Sequence, residues 1–155
     1  MTDRHGWDSW EQYQNAHTKR IADIQFFVEV DATEYVLAEE VLWEGTLYCL
    51  GRIEIHLFKR METEWLAGRL QVRTSKYSYH VLQRTAFGIR DLFRYDNFHE
   101  RKDHPDGHHK HTFDPEGRET VIHVGVDGWP TLGEVIDEAI AHWERYAPNV
   151  SGGRP

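Results

Sequence analysis

Apolar residues recur at helical spacing near both ends of the chain and alternate with polar ones along most of what lies between. Trp10, Tyr13, His17 and Ile21 predict a helix from about Ser9 to Asp23, with Asp8 placed to cap it. Leu132, Val135, Ile136, Ile140 and Trp143 form a second stripe, and Thr131 with Glu134 has the spacing of a capping box. A second helix is therefore expected after the Gly128-Trp129-Pro130 turn, ending near Ala147-Pro148.

Between these stripes the period changes to that of a strand. Phe26, Val28 and Val30 alternate, whereas Val36 to Leu42 fits helix or strand; strands are preferred for Ile24 to Glu44. From Thr46 to Phe58, Leu47, Cys49, Ile53, Ile55 and Leu57 share one face and Arg52, Glu54 and His56 the other, which predicts one half-buried strand. Trp65 to Gln83 reads as two strands or one long bent strand, Gly88 to Tyr95 as a shorter one, and Thr120 to Val126 as the last. The polar run from Asp96 to Phe113, broken by Pro105 and Gly107, reads as a loop.

Strands in series with a helix at each end give an α+β class, a mainly antiparallel sheet covered on one side by the N-terminal and C-terminal helices. The opposite face is left to bind something. The length suits one domain over residues 1–150, with 151–155 an apolar-poor tail.

Composition narrows the functional classes. A hydrophobic fraction of 39% and an aromatic fraction of 13% belong to a packed globule. The lone Cys49 excludes a disulfide framework or a cysteine-built zinc site, and suits a reducing cytoplasm. No segment is a long uncharged apolar run, so no membrane span is expected. The formal net charge of -8 argues against a surface basic all round, but residues 52–84 carry seven Lys or Arg against three Glu.

Candidate chemistry concentrates in the polar loop. Five histidines fall within thirteen residues, His99, His104, His108, His109 and His111, beside Asp96, Arg101, Lys102 and Lys110. Imidazole titrates near neutrality, so one ring can accept a proton while another gives one up. Two histidines and a cation such as Lys110 are enough for metal-free cleavage of RNA. Tyr77, Tyr79 and Tyr95 offer rings on which unpaired bases could stack, core packing being the alternative. His104, His108, His109 and His111 equally offer ligands for zinc or another divalent metal, and a solvated histidine-rich turn is the plain alternative to both. His17, His56, His123 and His142 carry no assigned role, and His80 is read as structural.

The ordered motifs Tyr77-Ser78-Tyr79, Phe93-Arg94-Tyr95-Asp96-Asn97 and His108-His109-Lys110-His111 resemble the signature of the TumE-like toxin family, over roughly Tyr77 to Phe113. The resemblance implies the toxin of a type II toxin–antitoxin system, partnered by a DNA-binding antitoxin and acting on RNA. It places catalysis on Asp96, His108, His109, Lys110 and His111. Tyr77, Tyr79, Tyr95, Asn97, Arg101 and Lys102 are then expected to contact substrate, with no cofactor required. The competing expectations are a metal-dependent hydrolase or metal-binding module, and a non-enzymatic interaction module that binds a basic antitoxin or a second copy of itself.

Overall fold

The two amphipathic stripes form helices laid on one face of an eight-stranded antiparallel sheet, an α+β architecture. The computed structural model describes residues 5–98 and 107–151. In chain order the elements are β1 (Asp8–Ser9), α1 (Trp10–Asp23), β2 (Val28–Leu37), β3 (Val41–Cys49), β4 (Ile53–Leu66), β5 (Arg69–Thr85), β6 (Gly88–Asp96), β7 (His109–Phe113), β8 (Glu119–His123) and α2 (Leu132–Ser151). Strands β2 to β8 lie side by side in sequence order, and β1 pairs with the part of β5 that extends beyond β6.

Local chemistry explains the boundaries. Ser9, not Asp8, caps α1: its Oγ accepts the Gln12 N–H at 3.1 Å, while Asp8 accepts the N–H of Ser9 itself. Thr131 and Glu134 form the reciprocal pair expected ahead of α2, each accepting the other's backbone N–H at 3.2 Å. That helix continues past Pro148 to Ser151, and the rest of the expected tail lies outside the described residues.

Two strand expectations are corrected. Thr46 to Phe58 is not one strand but two, because Gly51 and Arg52 adopt left-handed backbone (φ 68° and 60°) and reverse the chain between β3 and β4. Alternation survives the reversal because Leu47 pairs with Ile55, so odd-numbered residues face inward on both strands. The expected loop from Asp96 to Phe113 ends in a strand: β7 is clamped between β6 and β8, which satisfies its backbone groups despite its polar composition.

The core lies under the helices. The register sets Tyr35, Trp43, Lys59 and Tyr77 in one row across β2 to β5, and Leu57, Tyr79, Tyr95 and Lys110 in the next across β4 to β7. From α1, Tyr13 and His17 meet Trp43 edge-on at ring-centre distances of 6.0 and 4.5 Å. From α2, Trp143 reaches Phe27 at 5.8 Å and His142 stacks on Phe93 at 5.4 Å. Phe27, Trp43, Tyr77, Tyr79 and Phe93 are fully buried. At about 25 cal/mol per Å², each such ring contributes about 4–6 kcal/mol before the cost of ordering the chain.

Candidate active site

Strand parity divides the histidine motif. On β7, His109 and His111 point to the face that carries no helix, while Lys110 points to the covered face. His108, just before the strand, also lies on the covered side: its Nδ1 is 2.9 Å from the Tyr77 hydroxyl and its ring stacks on Trp129 at 4.6 Å. Lys110 donates to Glu138 of α2 at 3.0 Å, and Tyr95 donates to the same carboxylate at 2.8 Å. Burial opposes the Lys110 charge, but these partners outweigh it and hold its pKa above the ordinary lysine value. The structure thus does not bring His108 and Lys110 together with His109 and His111.

The tyrosines expected to stack bases are placed elsewhere too. Tyr77 and Tyr79 are core residues and Tyr95 is half-buried under α2. Asn97 is a clamp on β5: its Oδ1 accepts the Tyr77 N–H and its Nδ2 donates to the Ser75 carbonyl, both at 2.9 Å. His99, Arg101, Lys102 and His104 lie outside the described residues.

What the register assembles on the open face is a row that sequence spacing does not reveal. His56 of β4 faces His80 of β5, His80 faces Arg94 of β6, and Arg94 faces His111 of β7. A parallel row holds Phe58, Ser78, Asp96, His109 and His123. His56 and His80 are among the histidines to which sequence spacing assigns no catalytic role; the signal for this face is their shared strand parity, odd core positions against even polar ones.

Each member is fixed by a carboxylate. His80 Nε2 is 2.6 Å from Asp91 Oδ1, and His56 Nε2 is 3.0 Å from Glu54 Oε1. Glu54, itself buried, is held below the usual carboxylate range: desolvation acts against its charge, but hydrogen bonds from Arg84 and His56 prevail. The His56 and His80 ring centres are 6.3 Å apart, and their side chains are 43% and 31% exposed. At the other end His111 is buried, with Nε2 3.1 Å from Asp96 Oδ2 and Nδ1 in close contact with Glu119. Arg94 lies over it, its Nε donating to Asp96 at 3.0 Å and its Nη2 3.2–3.3 Å from the ring nitrogens. One-third of the Arg94 side chain remains exposed.

The face also offers an aromatic pair, Phe58 lying 5.7 Å from the exposed Phe98 with the rings tilted by 37°. Among the described residues no three His, Cys, Asp or Glu side chains gather closely enough to hold a metal ion. No helix among them is long and apolar enough to cross a membrane.

The arrangement can hold an oxyanion at Arg94 beside two oriented imidazoles. No curated protein and no solved structure matches the chain. A family model for the toxin TumE matches residues 18–145, a span that runs from α1 into α2 and takes in the whole open face. The match covers most of the chain, and the protein belongs to the TumE toxin family.

Proposed function

We propose that this toxin is a metal-independent endoribonuclease that works on the open sheet face. The observation that carries the proposal is the half-exposed pair His56 and His80, each oriented by a carboxylate, in a register row that continues from His80 to Arg94. One imidazole removes the ribose 2′-hydroxyl proton and the 2′-oxygen bonds to phosphorus. The bond from phosphorus to the 5′-oxygen breaks, and the other imidazole protonates that oxygen. Arg94 offsets the charge that grows on the phosphoryl oxygens. Asp96, His111 and Glu119 hold Arg94 in place, so they position rather than react, and Phe58 with Phe98 supplies the stacking surface sought in the tyrosines.

This assignment moves the catalytic cation from Lys110 to Arg94 and the acid–base pair from the histidine motif to β4 and β5. Against the -8 net charge, two of the carboxylates of this face are paired with guanidinium groups, Glu54 with Arg84 and Asp96 with Arg94. Membership of a toxin family implies an antitoxin partner. We place the pair in a type II system in the cytoplasm, with a DNA-binding antitoxin that silences the toxin by binding it.

The test is incubation of purified toxin with cellular RNA in EDTA, comparing wild type with His56→Ala, His80→Ala and Arg94→Gln. Wild type is expected to leave 2′,3′-cyclic phosphate and 5′-hydroxyl ends, and each histidine variant to lose about 10²–10⁴-fold in rate. Cleavage that appears only when a divalent metal is restored, or that survives in both histidine variants, would refute the mechanism.

A further inference from the structure

A second assembly of cations lies on the opposite side of the sheet and takes no part in this chemistry. A cavity of about 370 Å³ opens between α1, the segment before it and the covered face of β3 to β5. Lys59 and Arg20 both line it. Lys59 is only 8% exposed, donates to the Tyr13 hydroxyl at 2.7 Å, and sits 5.2, 5.5 and 5.6 Å from the ring centres of Tyr13, Trp43 and Tyr79.

Neither cation has a carboxylate partner among the described residues. The other charged groups of the cavity are engaged. His17 lies 2.8 Å from Asp31, Arg73 donates to Glu62 at 2.7 Å, Asp8 accepts from Ser9, and His5 contacts the Trp129 carbonyl at 3.0 Å. Burying an ammonium without an anion is costly, and aromatic faces return only about 2 kcal/mol. Desolvation, then repulsion from Arg20, pulls the Lys59 pKa from 10.5 down to about 7.

We propose that this cavity is a binding site for a small phosphate-bearing molecule, inorganic phosphate or a phosphate monoester, held between Lys59 and Arg20. Its volume is at the lower end of small-molecule pockets. A compact ammonium beside a guanidinium fork is a donor pair suited to a phosphoryl group, and a dianion compensates both cations at once. Binding restores the Lys59 proton, so at pH 8 it takes up a proton from solution.

Calorimetric titration of the intact toxin with inorganic phosphate and with AMP, at pH 8 in buffers of different ionisation enthalpy, reads both affinity and protons. The expected result is binding with uptake of close to one proton. Binding should weaken at least about tenfold in Lys59→Met and be reduced in Arg20→Gln, whose fold is checked by its thermal melt. His80→Ala should bind as wild type does. The proposal is overturned if neither probe binds at about millimolar concentration, or if Lys59→Met binds as well as wild type. It is equally overturned if binding disappears in His80→Ala, which would place the anion on the open face.

Discussion

Replacing Lys59 by Met should stabilise the ligand-free protein at neutral pH, an unusual outcome for removing a hydrogen-bonded core side chain. The unfolded chain holds the Lys59 proton up to about pH 10.5, whereas the folded one releases it near 7. The unfolded state therefore binds more protons throughout that window, and wild-type stability rises with pH across it. At about 1.4 kcal/mol per pH unit, the gap between 10.5 and about 7 amounts to at most about 5 kcal/mol. Methionine keeps the apolar stem and forfeits the hydrogen bond to Tyr13, worth about 1 kcal/mol. Lys59→Met should accordingly exceed wild type by up to about 4 kcal/mol at pH 7, with the advantage shrinking by about 1.4 kcal/mol per pH unit and gone near pH 10. Urea unfolding of both proteins at pH 7, 8, 9 and 10, followed by tryptophan fluorescence, measures the difference. A wild type equal to or more stable than Lys59→Met at pH 7, with a difference flat up to pH 10, refutes the claim that the buried charge is uncompensated.

Three further outcomes follow from single contacts. Burial lowers the pKa of His17 and of His142 below 6.5, against the raising influence of Asp31 and Glu138 respectively; the contribution of these two rings to stability should be fully present above pH 6.5 and be lost as pH falls below it, and melts of the double variant His17→Gln/His142→Gln should show a shallower decline over the acid range. Glu138→Ala strands the Lys110 ammonium and the Tyr95 hydroxyl under α2 and should cost about 3 kcal/mol in urea unfolding, whereas Lys110→Met/Glu138→Leu should recover stability and leave RNA cleavage intact if Lys110 is structural. Gly45→Ala places a methyl carbon 2.3 Å from the Ala32 carbonyl oxygen at φ 137°; it should destabilise the β2–β3 pair by more than about 3 kcal/mol, read as early hydrogen exchange in that hairpin.

The helices were legible because each writes its signal locally, as an aromatic stripe or as the Thr131–Glu134 pair. Strand alternation was legible for the same reason, down to which residues face the core. What escaped was whatever depends on two or more strands. The reversal at Gly51 and Arg52 is masked because the inward parity is the same on either side of the turn. Strand β7 looks like a loop because its interior His111 is satisfied by Asp96, Glu119 and Arg94, partners that come from other strands. The row His56, His80, Arg94, His111 exists only once β4 to β7 are paired in register. No spacing along the chain encodes that register.

The same parity changes what the histidine motif means as a unit. Successive residues of a strand face opposite ways, so four adjacent polar residues cannot all serve one pocket once three of them join the sheet. Here His109 and His111 floor the open face, while His108 locks against Tyr77 and Trp129 and Lys110 locks against α2. A motif that looks catalytic throughout therefore has two jobs on two faces, one holding Arg94 and one holding α2 and the segment before it to the sheet. Loss of toxicity in a motif variant does not by itself locate the chemistry. Substitution at His108 or Lys110 should act through stability and be rescued by lower temperature. Substitution at His56 or His80, which are half-exposed, should remove most of the cleavage in a protein that melts close to wild type, whereas substitution at Arg94 also strands the buried Asp96 carboxylate and should lower the melt as well.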